Sequence, residues 1–311
     1  MADGTKIEWT DASWNPIRAR NRKTGAVGHY CEKISPGCAQ CFASAMQPRF
    51  HMPEFLGRVE RVHFGDNKGV EVFLDEKILD QPLRWKKPRM IFPCSMTDLF
   101  GAWVPDEWID KILTVMALCP QHVFQVLTKR AERMASFISH CRFNKLDAAA
   151  RSMGYTLEFA GIPLVPWPLK NIWAGVSVEN QDQTKRISWL RKTPAAILWL
   201  SLEPLLGPLE LDLSGISWLV IGGESGRTAR PCQLEWIRSI IKQCREAGVP
   251  CFVKQLGRHV HLTSPGGQLT SWWPNHPKGG DMAEWPEDVR VRQMPGAAID
   301  PALIEETLHR R

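Results

Sequence analysis

The chain has 311 residues, 44% of them hydrophobic and 23% charged, with a formal net charge of +6. This composition excludes the intrinsically disordered class, and the length suits one large α/β domain or two ordinary ones. No apolar run approaches the roughly 18 residues of a membrane-spanning helix.

The opening stretch MADGTKIEWTDASWNP is polar and lacks the apolar core of a secretory signal. The expected compartment is therefore the cytoplasm, where thiols stay reduced and clustered cysteines point to metal binding or catalysis. The nine cysteines are an odd number, which speaks against a complete disulfide framework. Fourteen Trp stand against two Tyr, and core filling is the first expectation for them. The positive charge permits a nucleic-acid partner without demanding one.

The first chemical motif is Cys31-x6-Cys38-x2-Cys41, within GHYCEKISPGCAQCFA. Pro36-Gly37 forces a turn just before Cys38. Cys-x-x-Cys brings two thiolates together, and the turn returns Cys31 beside them. Three thiolates are one short of a closed structural site. A [4Fe–4S] cluster on three cysteines leaves one iron open for an exchangeable ligand. Alternatively, zinc would recruit His29 or His51 as a fourth ligand, or the three thiols share a loop without a metal.

Downstream, short apolar runs alternate with helical patterns. Arg89–Phe92 is a predicted strand, and Pro105–Met116 a predicted helix with Ile109, Ile112, Leu113 and Met116 on one face. Val123–Leu127 is the next strand, followed by a helix with Ala131, Met134, Phe137 and Ile138 on one side. Asn144–Pro168 reads as an insertion. Asn171–Val178 is a strand, and a polar helix runs through Ile187 and Leu190. Ala196–Leu200 and Trp218–Ile221 are strands joined without helical period. Helix Leu234–Ala247 closes at Gly248 and leads into strand Cys251–Val253.

This alternation predicts right-handed βαβ units and a parallel sheet. The fold class is α/β: a partial or complete parallel (β/α) barrel, TIM-like, spanning residues 1–257 with an insertion near 144–168. Residues 258–311, rich in Gly, Pro and Trp, form an irregular C-terminal appendage with a short helix near Pro301–His309.

Each predicted strand from Arg89 onward ends in polar residues: Ser95, Thr97 and Asp98; Thr128 and Lys129; Ser177 and Glu179; Ser201 and Glu203; Glu224 and Ser225; and Lys254 and Gln255. In parallel α/β folds, sites form outside the carboxyl ends of the strands. Convergent charges there are costly unless paired or bound to a ligand. Ordinary polar loops explain the serines, but the charged residues favour a binding site. In Gly222-Gly223-Glu224 the glycines would let backbone approach a ligand, and Glu224 would accept from an ammonium or hydroxyl. No P-loop, Rossmann glycine pattern, His-Glu-x-x-His or nucleophile elbow is present.

The stretches TKIEWTDASWNP, SPGCAQCFA, LTKRAERM, GVSVENQ, SLEPLLGPL, GGESGRTARP and VKQLG together resemble the phage-associated Gp37/Gp68 family over roughly residues 5–257. Its three-cysteine motif is similar to that of radical S-adenosylmethionine (SAM) enzymes. The resemblance implies a [4Fe–4S] cluster on Cys31, Cys38 and Cys41, SAM on its open iron, and an electron donor protein as reductant. It also implies action on nucleic acid, as in DNA repair or modification. Cys94 would donate a hydrogen atom, as in lyase-like relatives, with Glu203 and Lys254 beside it. Ser95, Asp98, Lys129, Ser177, Glu179, Gly222, Gly223 and Glu224 would hold SAM and substrate. Three features depart from the radical-SAM pattern. The first cysteine gap is six residues instead of three, the aromatic Phe42 follows the last cysteine instead of preceding it, and Gly-Gly-Glu lies on a late strand. The rival expectation is a non-catalytic zinc or iron–sulfur protein that binds nucleic acid or a partner protein.

Overall fold

The computed structural model describes residues 5–57, 69–140, 143–155, 157, 168–264 and 266–296. Seven strands form its central sheet: β1 (Ala12–Trp14), β2 (Met90–Pro93), β3 (Val123–Thr128), β4 (Ile172–Ser177), β5 (Ile197–Leu202), β6 (Trp218–Gly222) and β7 (Cys251–Gln255). They pair in that order and all are parallel. Neighbours in sequence are neighbours in space, so the sheet curls into a half-barrel flanked by helices. Of the two barrel forms expected, the partial one is found. Among the described residues no ladder joins β1 to β7.

Besides the short helices Phe42–Met46 and Glu76–Leu79, the described helices are α1 (Asp106–Ala117), α2 (Ala131–Ser139), α3 (Phe143–Ser152), α4 (Lys185–Arg191) and α5 (Leu234–Ala247). Pro105 caps α1, and Asp106 and Glu107 complement the positive end of its dipole. Ile109, Ile112, Leu113 and Met116 are buried, as their spacing predicts. Helix α5 stops at Gly248, whose φ of +65° is the left-handed conformation of a helix terminator.

Strand alternation creates two layers. One face of the sheet packs Ile91, Phe124, Val126, Ala174, Leu200, Leu219 and Ile221 against the helices. The opposite face carries Phe92, Trp173, Trp199, Trp218 and Phe252, with Trp9 packed among them. Trp9 lies 5.3 Å from Trp199 and 6.2 Å from Trp218, edge-on in both cases. Tryptophan therefore serves mainly as core here. Continuing along this inner face, position 173 leads to Ser177, 199 to Ser201, and 252 to Lys254. The aromatic layer thus becomes the floor beneath the polar strand ends.

Several elements escaped the sequence reading, strand β1, helix α3 and the hairpin of the appendage among them. Strand β1 is only three residues long, too short to show a period. Helix α3 occupies the start of the segment read as an insertion. The helix expected near Pro301–His309 lies outside the described residues. The appendage is more than a cover at one end, because it pairs with the free edge of β7. There Val253 N donates to Val291 O at 2.8 Å and Gln293 N to Cys251 O at 2.9 Å. Beyond that edge, strands β8 (Val260–Thr263) and β9 (Leu269–Trp272) form an antiparallel hairpin. No described helix is long and apolar enough to cross a membrane.

Candidate cofactor site at the mouth of the half-barrel

Pro36–Cys38 forms a tight turn, in which Cys38 N donates to Ser35 O at 2.9 Å. Cys41 then opens the short helix Phe42–Met46. Protein groups hold this loop from several sides. Ser35 Oγ donates to Glu179 Oε1 at 2.7 Å, and Arg230 Nη1 to Pro36 O at 3.0 Å. Thr228 Oγ1 donates to Gln40 Oε1 at 2.8 Å, and Thr97 Oγ1 to Tyr30 O. Gly37 is required beneath it, since a Cβ there would come within 2.5 Å of Glu179 Cγ.

The loop forms one wall of a cavity of about 320 Å³ at the carboxyl ends of the strands. Cys31, Cys38 and Cys41 all line it, and Cys94 faces the same space. Trp9, Phe92 and Leu127 make an apolar floor. Ser95, Asp98, Lys129 and Ser177 contribute to the polar wall, as do Glu203, Gly223, Glu224 and Lys254. The loop and the strand ends thus gather twelve of the fourteen expected positions around one space.

Two of the fourteen belong elsewhere. Glu179 is fully buried outside the lining, with Lys129 Nζ at 2.6 Å and Arg186 Nη1 at 2.8 Å. Its oxygens are committed to the loop and its cations, leaving none for a ligand. Gly222 also lies outside the lining, and a Cβ there would come within 2.9 Å of Glu203 Oε1, the end of a side chain that does line the cavity. Gly223 lines the cavity, but its lack of a side chain serves a different purpose. A Cβ there would meet the Leu256 carbonyl, so the glycine lets β6 and the chain after β7 approach.

Other polar residues are equally committed. Asp98 accepts from Thr128 Oγ1 at 2.6 Å, Phe100 N at 3.0 Å and Arg130 Nη1 at 2.9 Å. Glu224 takes a two-point contact from Arg230, with Nε at 2.9 Å and Nη2 at 2.6 Å. Lys254 Nζ lies 2.8 Å from Glu203 Oε1, and Ser201 Oγ lies 3.3 Å from Glu203 Oε2. This last pair is partly open to the cavity and can hold or pass a proton.

Burial pushes the Cys31 thiol well above its ordinary value, against the opposing charge of Arg130. Burial and then Asp98 do the same to Cys94. Neutral thiols are poor nucleophiles, whereas a bound metal deprotonates its cysteines. Cys94 has a φ of +56°, a conformation that is rare outside glycine and recurrent at functional sites.

Neither His29 nor His51 lines the cavity. His29 is held through Nδ1 at 3.3 Å from Ile17 O, and burial lowers its pKa to about 4. Among the described residues no three His, Cys, Asp or Glu side chains are grouped to hold a single metal ion. A mononuclear zinc needs thiolates within about 4 Å of one another, given zinc–sulfur bonds of about 2.3 Å. A four-iron cluster would take its three cysteines on different irons, and three thiols facing one cavity fit that donor set.

Arg130, Arg186, Arg230 and Asn15 went unpredicted. Asn15 orders the end of β2, accepting from Met96 N at 2.9 Å. Asn15, Arg130 and Arg230 lie in the quoted motifs TKIEWTDASWNP, LTKRAERM and GGESGRTARP, whereas Arg186 lies in none of them.

Fold and site together define a half-barrel α/β protein with a three-cysteine loop over a cavity at its carboxyl mouth. The chain belongs to the DUF5131 family, described as a protein of unknown function, whose model matches residues 4–301. No curated protein and no solved structure matches the chain.

Proposed function

We propose that the protein is a radical-SAM-like [4Fe–4S] enzyme acting on nucleic acid, in DNA repair or modification. One observation carries this reading. All three cysteines face a single cavity beside the strand-end residues, on a loop that other protein groups already hold in place. A structural metal organises the chain that binds it, and its removal unfolds the site. Here Glu179, Arg230 and Thr228 do the organising, which leaves the cysteines for a cofactor. The resemblance of the motifs to the Gp37/Gp68 family supports the same reading.

Cys31, Cys38 and Cys41 would hold the cluster. When bound with SAM it supplies one-electron chemistry, which calls for an electron donor protein. Trp9, Phe92 and Leu127 exclude water from the floor. Lys254 and Glu203 hold a proton at the shared hydrogen bond. Cys94, across the cavity, offers its S–H hydrogen atom to a substrate radical.

Anaerobic purification and reconstitution test the proposal. The expected result is about four irons and four sulfides per chain, with a broad visible charge-transfer band that Cys38→Ala removes. Reductant and SAM should then release 5′-deoxyadenosine. One zinc per chain without colour would overturn the cluster, and an intact cluster that leaves SAM uncleaved would overturn the enzyme class.

A further inference from the structure

The cavity mouth and the surface beyond it carry features that the reaction centre does not use. Phe42, next to Cys41, is 52% exposed and lines the mouth. Trp273, just beyond hairpin strand β9, is 51% exposed. One face of its indole stacks on His259, with centroids 4.0 Å apart and an interplanar angle of 10°. The other face is left for solvent. Arg258 N donates to Glu224 O at 2.8 Å, which joins this hairpin to the end of β6.

The mouth also carries cations without a carboxylate partner. Of the carboxylates facing the cavity, Asp98 and Glu32 share Arg130, Glu203 has Lys254 and Glu224 has Arg230. Lys278, from the appendage, lines the same mouth and makes no ion pair with any described residue. Exposed Arg227 is likewise without an ion pair among the described residues. It sits beside Thr228, whose hydroxyl holds Gln40 next to the Cys41–Phe42 lip.

A partner that satisfies both features is anionic and carries flat, separable rings. The described exposed large hydrophobics are only Phe42, Tyr155, Leu269 and Trp273, too few for the contiguous apolar patch of a protein interface. A cavity of about 320 Å³, which the proposed cofactor would share, has no room for a base pair.

We propose that this rim binds a single-stranded nucleic acid. Unpaired bases stack on Trp273 and Phe42, phosphates lie on Arg227 and Lys278, and one nucleotide is presented to the cavity. This inference rests on the reading of that cavity as the reaction site.

The test is fluorescence anisotropy with a labelled oligonucleotide of about 12 nucleotides and the matching blunt duplex, on full-length protein purified anaerobically. The single strand should bind at least about tenfold more tightly than the duplex. Phe42→Ala and Trp273→Ala should each weaken it about fivefold or more, with unchanged thermal midpoints because both side chains are exposed. Arg227→Ala and Lys278→Ala should each reduce the slope of log affinity against log salt by about 0.7. Lys242→Ala, on α5, should bind like the parent. Equal affinity for duplex, parent-like aromatic variants or an unchanged salt slope would each overturn the proposal. Protein with an intact chromophore but no strand binding removes this inference and leaves the cofactor reading. Strand binding by a colourless protein does the reverse.

Discussion

Ser35 and Glu179 are 144 residues apart in sequence, yet the serine hydroxyl donates to the Glu179 carboxylate at 2.7 Å. That bond ties the cysteine loop to the end of β4. Lys129 and Arg186 complete a buried cluster in which Glu179 has no exposed surface.

Replacing Glu179 with Gln should therefore be severe. It removes one charge and leaves Arg186, only 7% exposed, without its partner. Breaking a buried pair in this way costs about 3–5 kcal/mol. Thermal unfolding followed by circular dichroism should show a midpoint lower by on the order of 10 °C, and Cys38 should alkylate faster. Burial alone would raise the Glu179 carboxyl, but Lys129 and Arg186 outweigh it and hold it below the ordinary 4.5. Its stabilisation is therefore present above that pH and lost as pH falls through the lowered value. The variant should show a flatter acid limb, and an acid limb as steep as the parent's would refute the assignment.

Gly223→Ala tests the close approach beneath the mouth. The added methyl would meet the Leu256 carbonyl, which is backbone and cannot swing aside. Overpacking of this kind costs about 1–3 kcal/mol. Urea unfolding should show a reduced midpoint with unchanged slope. A parent-like midpoint would mean that the two segments separate easily.

His122 gives the protein a pH dependence nearer neutrality. It is fully buried, bonded through Nε2 to Pro82 O at 3.2 Å, and burial lowers its pKa to about 4. The unfolded chain takes up this proton near the ordinary 6.5, while the folded one does not. Between those values the unfolded state binds more protons, so stability should fall as pH drops across the window. Urea midpoints measured from pH 7 to 4.5 should decline less in His122→Gln than in the parent.

Cys94 faces the cavity without taking part in the loop's anchorage. Cys94→Ser should therefore leave the visible chromophore and SAM cleavage intact while abolishing turnover of substrate. Loss of the chromophore in this variant would instead make Cys94 a cluster ligand.

Much of the architecture was legible in local pattern. The strand spanning Ile197–Leu202 and the helix spanning Leu234–Ala247 were predicted to within about two residues, because apolar period and a closing glycine mark them directly. The gathering of Cys94, Asp98, Lys129, Glu203 and Lys254 was also legible. Parallel strands all deliver their carboxyl ends to one side, so polar residues at those ends must meet. Glu179 followed the same rule on paper and broke it in space. Whether a carboxylate faces a cavity or a loop depends on which cations arrive, and Arg186 comes from the next helix.

The sequence by itself determined the alternation of elements, the three-cysteine spacing and the polar strand ends, since each is a property of neighbouring residues. The tertiary structure decided what those residues do. It showed that Arg230 spans from Glu224 to the Pro36 carbonyl and that Gly223 serves chain packing. It also showed that Lys278, from the appendage, reaches the mouth of the barrel. Such contacts join segments tens to hundreds of residues apart, and their energies depend on burial and partner geometry that no local pattern encodes.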